Sequence, residues 1–252
     1  MLRINLIILI CACTVNSAEP NNPREAAGTD QRVIKRTLAG LEKAADSLKT
    51  YQCRFRYSFI QPLFESKTVR EGTLYYKKNE KFSKLRINFD LLRQDDAEPE
   101  THLEQYMFDG VWLTHLDYQL KQAKMYQQTE PNQPIDAFEL ASQNFPIIGF
   151  TDINELKKNF DIELSKDQKE DYIRLKLRIR PDSDRTEDYE SVDFWLDRKN
   201  HLPARIVTVN SESDIYEINL LKPKINREIT EETFRISIPE DFGKPEIFLK
   251  ED

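Results

Sequence analysis

Three histidines, one cysteine in the body of the chain and many scattered carboxylates are the side chains that invite a search for acid–base, nucleophilic or metal chemistry. His102, His115 and His201 stand in no His-Glu-x-x-His or comparable spacing, so a zinc site is not expected. Gly28, Gly40, Gly72, Gly110, Gly149 and Gly243 are too dispersed to cradle a phosphate, and no Gly-x-Ser-x-Gly elbow offers an esterase nucleophile. Cys53 falls on the aromatic side of a strand pattern, where a small buried hydrophobe is the better reading than a reactive thiol. Asp182, Asp184, Glu187 and Asp188 supply oxygens for calcium but lack the glycine and spacing of a calcium loop; a solvated hairpin tip explains them. Acidic pairs are so abundant that spacing alone singles out no glycosidase-like pair. No group of residues meets the nucleophile, base and orienter requirement, so the expectation is a protein that is not an enzyme, with no cofactor and no metal.

What the chain does carry is apolar surface in strict register. From Tyr51 to Phe59, the residues Tyr51, Cys53, Phe55, Tyr57 and Phe59 share one face of a strand, and Gln52, Arg54, Arg56 and Ser58 share the other. Further strands are expected at 68–78, 82–89, 103–109, 111–116 and 119–126, with Asp109-Gly110 as a tight hairpin turn and 94–101 as a polar loop. A second run follows at 162–166, 171–180, 189–196, 204–209 and 215–221, closed by a short strand at 234–238. Between the two runs the period becomes helical. Ile135, Phe138, Leu140, Ala141 and Phe145 suit one short helix, and Thr151 to Leu156 opens another. They flank the greasy loop Phe145-Pro-Ile-Ile-Gly-Phe150. Ahead of the strands, Ile34, Leu38, Leu41, Ala45 and Leu48 recur at helical spacing from an N-cap at Thr29 or Asp30, and their stripe is expected to lie on the sheet that begins at Tyr51.

Met1-Leu2-Arg3, the apolar run 4–12 and the small residues before Ala18 read as a secretory signal peptide spanning residues 1–18. A membrane anchor needs about 20 apolar residues, which Asn5, Thr14 and Asn16 interrupt. Ile10-Cys-Ala-Cys13 also matches a lipoprotein cleavage box, which would instead lipidate Cys13 and tether the chain to a membrane. Residues 19–28 are polar and aperiodic and read as a flexible lead, leaving 29–252 as a single domain. The net charge of -7 becomes more negative once Arg3 leaves with the signal, which argues against nucleic acid as a partner. Export would also remove Cys11 and Cys13, so Cys53 has no intramolecular disulfide partner and stability rests on the core.

Three local patterns resemble the periplasmic outer-membrane lipoprotein carrier (LolA-like) family. Leu48 to Gln61 looks like its helix end running into a first strand that closes on Phe-x-Gln. Gly72-Thr-Leu-Tyr-Tyr-Lys-Lys78 is similar to its Gly-x-Leu-x-x-Lys/Arg strand, and Phe108-Asp-Gly-Val-Trp-Leu113 to its Asp-Gly hairpin. The later segments 192–203, 215–220 and 234–239 are similar to its closing hairpins and final Phe-x-x-x-x-Pro element. The resemblance implies a mostly β (α+β) fold: a curved, incomplete antiparallel β-barrel, or half-barrel, with an N-terminal helix and short lid helices over a hydrophobic cavity that shelters acyl chains.

The expected cavity lining is Phe55, Tyr57, Phe59, Leu74, Tyr76, Ile87, Phe89, Phe108 and Trp112, with Phe145, Ile147, Ile148 and Phe150 as the lid. Where the family has Arg-Pro after its second strand, tied to lid movement, this chain has Lys78-Asn79, which makes Lys78 the lid-latch position; an ammonium does not reproduce the planar fork of a guanidinium. The implied ligand is an acylated lipoprotein or lipid, held by a periplasmic monomer that also meets an inner- or outer-membrane protein. Relatives of the RseB kind supply the alternative: a regulatory, sensor or scaffold protein of the envelope that uses the same half-barrel to grip a protein partner.

Overall fold

The computed structural model describes residues 23–80, 82–137, 140, 153–183 and 190–250. The signal segment with Cys13, the loop 145–150 and the acidic residues 184–188 lie outside the described residues.

The chain opens with helix α1 (Pro23–Asp46) and then forms strands β1 (Thr50–Gln61), β2 (Ser66–Lys78), β3 (Ser83–Gln94), β4 (Glu100–Phe108), β5 (Trp112–Asp117) and β6 (Gln122–Gln127). A short helix α2 (Ile153–Asn159) leads into β7 (Phe160–Leu164), β8 (Tyr172–Ile179), β9 (Ser191–Asp197), β10 (Pro203–Val209), β11 (Ile215–Ile225) and, at the end, β12 (Glu246–Phe248). All these strands belong to one open, curved sheet ordered β12-β6-β5-β4-β3-β2-β1-β11-β10-β9-β8-β7. The pairs are antiparallel except the parallel β12–β6 contact.

Two expectations are corrected here. The helix starts at Pro23 rather than at Thr29 or Asp30, because proline suits a first helical turn and Glu25-Ala26-Ala27 are good helix formers; residues 23–28 are helical rather than a loose lead. The last short strand is not at 234–238, where a 3-10 turn (Glu231–Phe234) ends and residues 235–238 are irregular; it is Glu246–Phe248 instead.

The two halves meet at the β1–β11 pair, so the inward residues form continuous cross-strand rows. Leu175, Phe194, Ile206, Ile218 and Tyr57 are successive partners from β8 to β1. The stripe of α1 splits between these halves. Ile34, Leu38 and Leu41 pack with Ile173, Leu175, Leu177, Val192, Phe194 and Ile206 on the second half, while Ala44 rather than the expected Ala45, and Leu48 just past the helix end, join the cluster on the first half. The helix therefore covers chiefly β7–β10, because β11 returns beside β1 and extends the sheet past the helix's own exit. Gly40 permits this closeness: a Cβ there would meet the ring of His201 at 3.0 Å, so His201 serves as a packing surface in the β9–β10 turn.

The outer face carries crossed ion pairs, including Arg54 with Asp90, Arg56 with Glu71 at 2.8 Å and Arg174 with Asp193 at 3.0 Å. The C-terminal segment runs across it. Lys77 and Lys84 hold Glu231 at 2.6 and 2.9 Å, Arg86 donates to the carbonyls of Thr233 and Arg235, and Phe234 and Ile229 bury against Met107.

One inward hydroxyl is poorly served. Thr208 Oγ1, on a side chain that is 0% exposed, has no hydrogen-bond partner among the described residues. Thr208→Val keeps the shape and removes the orphaned group, so it should stabilise the fold by about 1 kcal/mol. A melting temperature higher by roughly 2–4 °C is expected in thermal unfolding, and a decrease would show that the hydroxyl has a partner.

Candidate ligand-binding face

The inner face of β1–β4 is an apolar wall. Phe55, Leu74, Tyr76, Ile87, Phe89 and Phe108 are all buried in one cluster with Tyr51 and Cys53. It follows from strand alternation: Cys53 faces Leu74 and then Ile87, Tyr51 faces Tyr76 and then Leu85, and Phe55 faces Gly72 and then Phe89. Rings connect edge to face along it, Phe55 to Phe89 at 5.1 Å and Phe89 to Tyr106 at 6.2 Å. Burial pushes the Cys53 thiol up to about 12, which removes it as a nucleophile near neutral pH.

One end of this wall is closed by chain. Leu48, Leu202, Ala137 and Leu140 pack into the cluster. Asp136 accepts hydrogen bonds from Tyr76 Oη at 3.1 Å and Ser83 Oγ at 2.8 Å, and Ser83 Oγ accepts from the Ala137 amide at 2.6 Å. Burial first, and then the Asp136 charge, hold the Tyr76 phenol well above its ordinary range, so it stays a donor. These bonds fix the segment that leads out of the first half of the sheet.

The other end of the same wall bears a polar cluster. Glu104, 5% exposed, accepts from Arg70 Nη1, Tyr106 Oη and His115 Nε2, each at 2.8 Å, and His102 Nε2 lies 4.0 Å away. His115 stacks on Tyr106 at 4.3 Å, and the Arg70 guanidinium sits 5.6 Å above the Phe89 ring. Two of the chain's three histidines thus converge on one buried carboxylate. No spacing motif announces this, since the β4–β5 register creates it. The available signal is the alternation His102, Glu104, Tyr106, Phe108 along β4, which places polar groups at inward positions.

Burial alone would raise the Glu104 carboxyl, but donation from His115 and Tyr106 and the charge of Arg70 outweigh it and hold the group below its ordinary 4.5. Because the folded-state value lies below the unfolded one, this carboxylate stabilises the fold above about pH 4.5, and the contribution is lost as pH falls through the folded-state value. Urea midpoints of the wild type should therefore fall more between pH 7 and pH 3 than those of Glu104→Gln; parallel losses would count against the assignment.

The remaining sequence candidates divide. Tyr57 is half-buried and packs on the cluster. Phe59 lies further along β1, half-buried and stacked on Tyr216 at 4.9 Å, outside the cluster. Trp112 is a correction: Phe108 pairs with Leu113, so Leu113 shares the inner face and Trp112 points to the other side, because the hairpin turn shifts the parity by one residue. Lys78 is exposed at the end of β2. The lid candidates Phe145, Ile147, Ile148 and Phe150 lie outside the described residues. Asp182 lies 3.3 Å from Arg180, and among the described residues no group of three or more His, Cys, Asp or Glu is arranged to hold a metal ion.

No family model and no curated protein matches the chain. Among solved structures it is similar to an uncharacterized conserved protein from Thermus thermophilus, with a TM-score of 0.50 and 10% identity, over 86% of this chain and 99% of that one. A LolA superfamily protein from Nitrosomonas europaea aligns with a TM-score of 0.39 and 14% identity, over 79% and 97% of the two chains. MucB of Pseudomonas aeruginosa, in its complex with MucA, aligns with a TM-score of 0.45 and 15% identity, over 80% of this chain and 60% of that one. The chain shares with the Thermus protein its fold alone, here an open half-barrel of antiparallel strands curved around an apolar inner face.

Proposed function

We propose that the protein is a non-enzymatic binder of acylated ligands in the cell envelope, holding an acyl chain of a lipid or lipoprotein against the inner face of β1–β4. The observation that supports this most directly is the wall itself: six large apolar side chains aligned across four strands of a sheet that does not close on itself. Each methylene removed from water contributes about 0.8 kcal/mol, so a chain laid along such a wall is held without any specific bond. In this reading residues 1–18 direct export to the periplasm.

Native mass spectrometry with solvent extraction, on the mature chain recovered from a Gram-negative periplasm, tests the reading. A co-purifying acylated species, displaced at one equivalent by a fluorescent fatty-acid analogue, is the expected result. A protein that is empty and refuses the analogue would overturn it. A stoichiometric protein partner without lipid would instead favour the regulatory, RseB-like alternative.

A further inference from the structure

The inner face is not uniformly apolar, and the cation it carries, Arg70, is placed where a bound amphiphile would end. The cross-strand row Phe194, Ile206, Ile218, Tyr57, Arg70 and Leu92 is apolar or aromatic but for Arg70. Partly burying an arginine in such a row is costly unless its charge is held. It is held: one edge of the guanidinium donates to Glu104, whose other oxygen is taken by Tyr106 and His115, and its face lies over Phe89. The buried carboxylate thereby fixes the direction of the arginine rather than its own exposure to ligand. The side chain of Arg70 remains 33% exposed, and its Nε and Nη2 donors have no partner among the described residues.

We propose that Arg70 is the head-group reader of this face: its free edge binds the anionic oxyacid head, carboxylate or phosphate, of a single-chain amphiphile whose tail lies along Phe89 and Phe55 toward Phe108. A planar guanidinium with two parallel N–H donors matches two oxygens of such a head, and a site already fixed by Glu104 loses little side-chain entropy on binding. The ligand class is therefore narrower than any apolar molecule. A neutral chain of the same length gains the wall but not the fork. This inference rests on the acyl-binding reading above and adds the chemistry of the head.

The test is a titration of the full mature protein with oleate, oleyl alcohol and oleoyl lysophosphatidate, following displacement of a fluorescent analogue. Wild type is expected to bind both anionic ligands about tenfold more tightly than the alcohol, the size of one charge-assisted hydrogen-bonding contact. Arg70→Met, which keeps an apolar stem over Phe89, should lose that tenfold for the anions and leave the alcohol unchanged. Arg70→Lys should recover only part of it. Whichever anion binds more tightly identifies the head as carboxylate or phosphate. Equal binding of all three by wild type, or a parallel loss of all three in Arg70→Met with its melting temperature unchanged, would overturn the head-group proposal while leaving the acyl-binding reading in place. Should Arg70→Met unfold, the wild-type preference for anion over alcohol decides alone. Wild type that binds none of the three would sink both.

Discussion

Gly72→Ala is expected to cost about 3 kcal/mol of stability, the upper range of overpacking in a close-packed interior. A Cβ at Gly72 would stand 2.1 Å from the backbone oxygen of Asn88 and 2.9 Å from the Phe55 ring. The ring can turn, but the carbonyl belongs to β3, which pairs along β2 on both sides of this point, so relief requires moving a strand. The bulge that breaks the β2–β3 register between Glu71 and Gly72 is where the strands approach this closely. For a chain of this size the melting temperature should fall by roughly 6–12 °C, read by thermal unfolding. A fall of less than about 2 °C would mean that β2 and β3 are further apart than described.

Phe108→Ala is expected to cost about 3–5 kcal/mol, the transfer term of a lost aromatic ring plus the cavity it leaves. Phe108 is 0% exposed and pairs across β3 with Leu85 and across β5 with Leu113, so neither neighbour can swing in without losing its own contacts. Trp112→Ala is the matched control. It removes a larger ring from the next strand, but from the opposite face and from a half-buried position, so its cost should be smaller, and uptake of a fatty-acid analogue should be unchanged. Equal destabilisation by the two substitutions, measured by urea unfolding, would contradict the assignment of faces.

Much of the sheet was legible because alternation is a local signal. Tyr51, Cys53 and Phe55 are inward and buried, as their two-residue period demands, and the strands of both runs lie close to their expected bounds. The parity error at Trp112 shows where that signal stops. Alternation says which residues share a face within a strand, but the turn between strands decides which alternate set faces inward next. Between Phe108 and Leu113 the turn shifts the inward set by one residue, which leaves the tryptophan outside.

Residue chemistry by itself determined that the chain is a β-rich apolar surface with no recognisable catalytic spacing, and that Cys53 is a packing residue. Only the tertiary structure decided that β11 returns beside β1 to make one sheet of two halves, and that α1 covers the second of them. Only it brought Arg70 of β2 and His115 of β5 to Glu104 of β4, from 34 and 11 residues away in the chain. The physical reason is common to both. Side-chain periodicity is written along a strand, whereas the partner of a strand and the contents of a polar cluster are set by long-range pairing, which no local pattern encodes.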